Sequence, residues 1–150
     1  MKVTRTLVSM ILLSVFSVVQ AADGLVKVSS PHGPTGTMDR LEEAVEEKGL
    51  NVFARIDHAE GAAKVDHSLR PTELLIFGHP KGGTPFMKCA QTIGIDLPMK
   101  ALVWKDDSGQ VWLGYNDPAF IAARHGAADC PAVVKLSKVL DGLAKSAVAP

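Results

Sequence analysis

The sequence has few aromatic residues and no excess of charge of either sign. Phenylalanine, tryptophan and tyrosine make up 5% of the 150 residues, and sixteen basic side chains are balanced by sixteen acidic ones. The lysines and arginines are scattered singly and do not interleave with aromatic residues. A nucleic-acid-binding surface requires a basic patch or stripe on one face of the protein. The composition therefore predicts a protein that binds no nucleic acid.

Familiar catalytic motifs are also absent from the sequence. It contains neither H-E-x-x-H nor G-x-S-x-G, the patterns of zinc peptidases and of hydrolases with a serine nucleophile. Gly78 and Gly83 have the spacing of a phosphate-binding loop, but Thr84 and Pro85 stand where that loop needs lysine and serine or threonine. Nucleotide hydrolysis is therefore not expected. A helix that follows this glycine-rich turn, capped by Thr84, can still bind a carboxylate or a phosphate through its backbone amides. An ordinary connection between a strand and a helix is the structural alternative.

A long hydrophobic run occurs only at the N-terminus. Lys2 and Arg5 precede an apolar run over residues 7–19, and a small-residue cleavage pattern ends at Ala21. The run is shorter than the roughly 20 residues that cross a bilayer. We therefore predict a signal peptide over residues 1–21, with cleavage near Ala21 and Ala22. The mature protein is expected to be periplasmic or secreted and to carry no membrane segment.

Cysteine is scarce, and both cysteines, Cys89 and Cys130, lie in the part that is predicted to be exported. An oxidising compartment favours their pairing, which would close a loop worth roughly 4 kcal/mol in the chain-entropy model. Two free buried thiols, or a metal or redox role, are the alternatives. Because the cysteines do not form a C-x-x-C motif, neither a thioredoxin-like site nor covalent haem attachment is expected.

Hydrophobic periodicity predicts one α+β domain over residues 22–146 and a disordered tail over residues 147–150. The predicted order is strand, helix, strand, short helix, strand, helix, two strands joined as a hairpin, short helix and helix. Glu73–Gly78 is a continuous apolar run and is predicted to be the central strand. We expect a two-layer sandwich, in which helices pack on one face of a mixed, mainly antiparallel sheet of about five strands. Homodimerisation would cover the other face.

Asp57 and His58 form the best candidate pair for proton transfer or metal coordination. Imidazole titrates near neutral pH, and a neighbouring carboxylate can fix its tautomer. Residues 50–57 alternate as a strand, which would place His58 with Ile56 on the apolar face and Asp57 on the other side. Asp57 would then orient His58 only if the strand ends there. A buried histidine that holds a turn is the structural alternative.

Further candidate residues lie at the ends of predicted elements, where sites are assembled. His58, His79 and His125 are the candidate metal ligands, although their spacing matches no known zinc pattern. Tyr115 and Asn116 would complete a polar pocket with His58. The full set of candidate ligand-binding residues is Asp57, His58, His79, Lys81, Gly82, Gly83, Thr84, Tyr115, Asn116 and His125. These residues identify no particular cofactor.

Four strings of residues carry a family resemblance: Ile56-Asp57-His58-Ala59, Arg70-Pro71-Thr72-Glu73-Leu74-Leu75-Ile76-Phe77-Gly78, Asp96-Leu97-Pro98 and Tyr115-Asn116-Asp117-Pro118. Through them the chain from Gly24 to His125 resembles the bacterial family named domain of unknown function 302. The resemblance implies a compact α+β fold that is often dimeric. It brings no established activity, so it assigns no catalytic residue. The signal peptide and the two cysteines are additions to the usual pattern, which suggests an exported branch.

Taken together, these residues predict a periplasmic, non-enzymatic binding module. It would hold a small anionic ligand or a metal-containing cofactor around Asp57, His58, His125 and the loop from His79 to Thr84. One alternative is a small enzyme in which His58 acts as general acid or base with Asp57. The other is an accessory protein whose sheet face docks a partner.

Overall fold

The structure is a computed structural model that describes residues 24–150. The predicted signal peptide and its cleavage site lie outside the described residues. Within residues 24–150, no helix combines the length and the apolar character needed to cross a membrane.

The described chain folds into one sheet and a layer of helices. Its elements in chain order are β1 (Leu25–Ser30), α1 (Pro34–Glu47), β2 (Asn51–Asp57), α2 (His58–Ala63), β3 (Thr72–Gly78), α3 (Pro80–Cys89), a 3₁₀-helix (Gln91–Ile95), β4 (Met99–Lys105), β5 (Val111–Asn116), α4 (Pro118–Arg124) and α5 (Ala132–Val148). The strand order is β1-β5-β4-β3-β2, and each pairing is antiparallel. The predicted α+β fold is confirmed, with two corrections. The sheet was expected to be mixed, but every pairing among its described strands is antiparallel. The central strand is β4, and β3 lies next to the edge strand β2.

The core lies between one face of the sheet and the helices α1 and α5. Pro34 begins α1 and Gly49, with a φ of 67°, follows its last turn, as proline and glycine commonly do at helix ends. Apolar residues spaced three and four apart lie on one side of α1, and this side packs against the sheet. The largest fully buried side chains are Phe77, Phe86, Met38, Leu41, Leu75, Ile93, Leu113, Leu143, Val45 and Val103.

A β-bulge in β2 changes which residues face the helices. Val52 pairs with Phe77, but Ala54 pairs with Ile76, so Phe53 is the additional residue. Val52 therefore faces the helical layer, whereas Ala54 faces the opposite side. The strict alternation that was predicted for residues 50–57 is wrong at this point. The bulge also leaves the ring of Phe53 57% exposed.

Because of the bulge, Arg55 points towards α1 and joins that helix to the sheet. Its guanidinium donates to Glu73 at 2.7 Å, to Asp39 at 2.7 Å and to Glu42 at 3.0 Å. Desolvation lowers the pKa of Arg55, but the hydrogen bonds to Glu73, Asp39 and Glu42 outweigh it and raise the pKa above its usual value. Arg55 therefore stays charged and acts as an ionic link between the two layers.

Helix α3 begins earlier than predicted. His79 is its N-cap and Pro80 its first residue, so Thr84 lies inside the helix and does not cap it. Glycine and proline normally indicate a loop, but here both residue types lie within a helix that contacts its neighbours. A Cβ atom on Gly82 would lie 3.5 Å from Leu136 of α5, and one on Gly83 would lie 3.4 Å from Leu97. The segment predicted to be a loop is therefore a helix that packs closely on its neighbours.

Helix α5 extends further than predicted, to Val148. Ala147 is fully buried, and its carbonyl accepts a hydrogen bond from Arg40. The carbonyl of Ala149 accepts a second hydrogen bond from Arg40 and lies 2.7 Å from the His32 ring. The disordered tail predicted over residues 147–150 is therefore wrong for Ala147 to Ala149, because these hydrogen bonds attach them to α1 and to the end of β1.

The opposite face of the sheet is mainly apolar and partly exposed, although Lys27 and Lys100 also lie on it. The strand pairings place on it Ile56, Leu74, Ile76, Leu102, Trp104 and Trp112. Ile56 is 39% exposed. The ring of Trp104 packs over Gly114, where a Cβ atom would approach it to 2.9 Å, and the ammonium of Lys27 lies 5.6 Å from the centre of the Trp112 ring. We call this surface the open face.

Candidate functional site

A groove with a volume of about 1020 Å³ lies between α3 and α5, beside the ends of the sheet where β3 finishes and β4 begins. We call it the α3 groove. Its volume is at the upper end of the range for small-molecule sites, roughly 300–1,000 Å³. Its walls consist mainly of apolar side chains and glycines, which include Phe53, Met87, Leu97, Leu136 and Val139.

The exposed apolar surface of this groove is concentrated in two side chains. Phe53 is 57% exposed and Met87 is 36% exposed. The bulge in β2 projects the first into the groove, and α3 contributes the second. Apolar side chains that are grouped in a concave surface favour a binding function, whereas single exposed ones are ordinary.

The charged residues that line the α3 groove are all lysines. Lys48 follows the end of α1, Lys81 lies in the first turn of α3, and Lys135 lies near the start of α5. His79 is also in the lining. Among the described residues that line the groove, none is acidic. The groove therefore suits a ligand that has an apolar body and an anionic group.

Backbone amides at the start of α3 are already occupied. The amide of Lys81 donates to Nδ1 of His79 at 3.0 Å, and the amides of Gly82 and Gly83 donate to the His79 carbonyl at 2.9 and 3.1 Å. Pro80 has no amide hydrogen. The anion site predicted from this glycine-rich segment therefore does not have free amides, and an anion in the groove would interact with the lysine side chains instead.

Asp57 and His58 lie at the other end of β2 from the groove. Asp57 is four residue steps from Phe53 of the groove, which span roughly 13 Å along an extended strand. Oδ1 of Asp57 accepts a hydrogen bond from the amide of Glu60 at 2.9 Å, so Asp57 is the N-cap of α2. His58 is the first residue of α2 and is exposed. Neither the predicted acid–base pair nor the alternative of a buried histidine is found.

Tyr115 and Asn116 do not form a pocket with His58. Tyr115 is buried on β5 and faces the helical layer through its pairing with Ala101. Burial, followed by the negative charges of Asp141 and Asp117, raises the pKa of Tyr115 to about 12. Asn116 is exposed and pairs with Leu25 at the end of β1. Tyr115 therefore belongs to the core.

His125 lies in a cluster of polar side chains between α4 and the 3₁₀-helix. Nε2 of His125 is 2.7 Å from Oδ2 of Asp96, and Nδ1 is 2.9 Å from Oγ1 of Thr92. Nη1 of Arg124 donates to Oδ1 of Asp96 at 2.9 Å. We call these four residues the His125 cluster. Its other three members were not predicted, because nothing in the sequence indicates that residues 92–96 fold back on the end of α4.

The candidate metal ligands are not assembled. His58, His79 and His125 lie at the start of α2, before α3 and after α4. Nowhere in residues 24–150 do three or more histidine, cysteine, aspartate or glutamate side chains gather in a way that could hold a metal ion.

Cys89 and Cys130 join the two helices that border the α3 groove. Cys89 is the last residue of α3, and Cys130 lies two residues before α5. Their Cα atoms are 5.8 Å apart and their sulfur atoms are bonded. The disulfide expected from the sequence therefore links one wall of the groove to the other.

Comparisons with known proteins agree with this fold. The family model described as "Domain of unknown function DUF302" matches residues 26–143. The crystal structure of an uncharacterised conserved DUF302 protein from Bacillus stearothermophilus superposes with a TM-score of 0.76 at 20% identity, over 84% of this chain and 99% of that one. At this identity the likeness shows the fold alone.

Two curated relatives carry the name of a membrane protein. The fluoride-specific ion channel FluC 1 of Brucella suis is 50% identical over 102 residues, which are 68% of this chain and 40% of that protein. FluC 2 of Brucella melitensis has the same identity over 38% of its length. The chain thus spans about two fifths of the relatives that it matches.

Proposed function

Since the chain belongs to the DUF302 family, whose name assigns no activity, we propose a function from the α3 groove itself: an exported binding module for amphiphilic anions. The ligand class is a long-chain carboxylate, with its hydrocarbon body against Phe53 and Leu136 and its carboxylate near the lysines. The proposal keeps the anionic ligand expected from the sequence but changes the site. Of the predicted ligand-binding residues, the groove contains His79, Lys81, Gly82, Gly83 and Thr84.

The observation that carries this proposal is the combination of apolar walls with three lysines and no acidic lining residue. Apolar surface removed from water contributes about 25 cal/mol per Å², so the hydrocarbon body would supply most of the affinity. Exposed ion pairs contribute about 1 kcal/mol or less, so the lysines would mainly select the sign of the head group. We therefore expect binding on the order of micromolar, with a strong preference for anions.

Export is part of the proposal. The basic start and apolar run over residues 1–19 support it. The bonded pair Cys89 and Cys130 supports it as well, because disulfides persist in oxidising compartments. An exported carrier of apolar anions would meet its ligand outside the cytoplasmic membrane.

Calorimetric titration of the mature protein with dodecanoate, dodecylamine and dodecanol tests the function. Dodecanoate should bind at least tenfold more tightly than the amine of equal chain length. Phe53→Asp should weaken dodecanoate binding, because it places a carboxylate in the apolar wall. Val134→Asp is the matched control, since Val134 is 77% exposed on α5 and outside the groove. Equal binding of the amine, or equal effects of the two substitutions, would overturn the proposal.

A second candidate function follows from the names of the curated relatives. Proteins called fluoride-specific ion channels contain a region 50% identical to this chain, so the chain is a candidate accessory module for fluoride handling. Deletion of its gene should then lower the fluoride concentration at which the host stops growing, and a plasmid copy should restore tolerance. Unchanged fluoride tolerance in the deletion strain, with chloride as the ionic control, would remove this candidate and leave the groove proposal intact.

A further inference from the structure

We propose that Thr92, His125 and Asp96 form a nucleophilic triad that hydrolyses small activated carboxylic esters. The inference goes beyond ligand binding and does not depend on the α3 groove. It comes from the order of the three groups, a hydroxyl followed by an imidazole and then a carboxylate, at distances of 2.9 and 2.7 Å. A side-chain nucleophile, its base and the group that orients the base are recognised by this geometry and not by sequence position.

Asp96 fixes the tautomer of His125. The side chains of Asp96 and His125 are 14% and 9% exposed, and Oδ1 of Asp96 is held by Arg124. Oδ2 is an acceptor, so in the neutral imidazole Nε2 of His125 carries the hydrogen and donates a hydrogen bond to Asp96. Nδ1 is then an unprotonated acceptor that faces the Thr92 hydroxyl. This arrangement places a general base on a hydroxyl group.

A nucleophile must be accessible to its substrate, whereas the base and the carboxylate behind it can be shielded from solvent. His125 and Asp96 are shielded, whereas Thr92 lies on the exposed surface of the 3₁₀-helix. A substrate carbonyl can therefore approach the hydroxyl from solvent. The neighbouring disulfide joins the chain just before Thr92 to the chain just after His125 and so limits their separation.

The proposed reaction has two steps and no change of oxidation state. Oγ1 of Thr92 bonds to the ester carbonyl carbon while its proton passes to Nδ1 of His125. The bond from the carbonyl carbon to the leaving oxygen then breaks, and His125 returns the proton to that oxygen, which releases the alcohol. Water next attacks the acyl-threonine and gives a proton to Nδ1. The bond from the acyl carbon to Oγ1 of Thr92 then breaks, and His125 returns the proton to Oγ1, which releases the carboxylic acid and restores the hydroxyl.

The same contacts also connect α4 to the 3₁₀-helix. The experiment must therefore distinguish a catalytic role of these residues from a purely structural one. p-Nitrophenyl acetate hydrolysis is measured on the disulfide-bonded mature protein with Thr92→Val, Thr92→Ser and His125→Gln. Thr92→Val is nearly isosteric and removes only the hydroxyl. Under the proposal the hydrolysis rate of this variant falls at least tenfold, to the rate of free imidazole at equal concentration. Thr92→Ser, which keeps a hydroxyl group, should hydrolyse the ester at least tenfold faster than Thr92→Val.

Mass spectrometry supplies a second measurement, which would give no signal at Thr92 if this residue had only a structural role. After brief exposure to p-nitrophenyl acetate and acid quenching, one acetyl group should be found on the peptide that contains Thr92, and it should be absent from Thr92→Val. Hydrolysis that is equal in wild type and Thr92→Val overturns the proposal. So does acetylation confined to lysine. If His125→Gln fails to fold, the two Thr92 variants still decide the question.

Discussion

At the scale of single residues, the chemical type of a side chain did not predict its role in the structure. Tyr115 was a candidate ligand-binding residue because it is polar and follows a strand, yet its side chain is almost fully buried. His58 was a candidate base because it follows a carboxylate, yet it is an exposed first residue of a helix. His125 has the partners that His58 lacks. Local sequence cannot reveal this difference, because the partners of His125 lie about 30 residues away.

The burial of Tyr115 gives a prediction that can be measured directly. Its pKa is about 12 against an ordinary value of 10.0, because burial and nearby carboxylates disfavour the phenolate. The folded state therefore retains this proton at a pH where the unfolded state has lost it. The contribution of Tyr115 to stability is fully present below pH 10 and is lost as pH rises through 12, by up to about 3 kcal/mol.

Tyrosinate absorbance during an alkaline titration tests the prediction, because the chain contains a single tyrosine. The midpoint should lie near 12 in the folded protein and near 10 in urea. Tyr115→Phe controls for the lysines that titrate in the same range, and its stability should fall less steeply between pH 10 and 12. A folded-state midpoint near 10 would show that the ring is accessible to water.

At the scale of the elements, the disulfide determines how α3 and α5 are held beside the groove. Reduction releases a loop with a sequence separation of 41 residues, which costs roughly 3–4 kcal/mol of stability in the chain-entropy model. We predict this loss for the double variant Cys89→Ser, Cys130→Ser in urea denaturation. We also predict weaker dodecanoate binding, because the two walls of the groove are no longer linked.

Thiol counting provides the control for the disulfide prediction. The wild type denatured without reductant should show no free thiol, and addition of reductant should release two. Two titratable thiols before reduction would contradict the disulfide itself. A double variant with unchanged stability would contradict its energetic role and leave the bond in place.

The elements show how far the sequence predicts this fold. The strands, the helices and the capping of α2 by Asp57 follow from hydrophobic period and cap chemistry, which are local properties. The early start of α3 does not, because glycine and proline in this segment favour a loop, whereas the contacts of Gly82 with α5 and of Gly83 with Leu97 arise from tertiary structure. The bulge at Phe53 likewise depends on the register with β3. The α3 groove is made by these two features, so it could not be predicted.

At the scale of the whole molecule, the open face is a surface without an assigned role. Both tryptophans of the chain, Trp104 and Trp112, lie on it. Contiguous apolar surface in a soluble protein commonly marks an interaction site, and the commonest arrangement is a twofold-symmetric dimer. We predict that two copies pack through their open faces, in agreement with the homodimer expected from the sequence.

A single substitution on this face should separate dimer from monomer. Ile56 is 39% exposed and carries no hydrogen-bonding side chain, so Ile56→Lys should place a charge in the interface with little effect on the fold. Light scattering on a sizing column should give a dimer for wild type and a monomer for this variant. Val134→Lys is the control, because Val134 is exposed on α5, away from the sheet.

On dilution, tryptophan emission should shift to longer wavelength only in proteins that dimerise, since both indoles would return to water. A wild type that is monomeric at high concentration, or a dimer that survives Ile56→Lys but not Val134→Lys, would show that the open face is not the site where two copies meet.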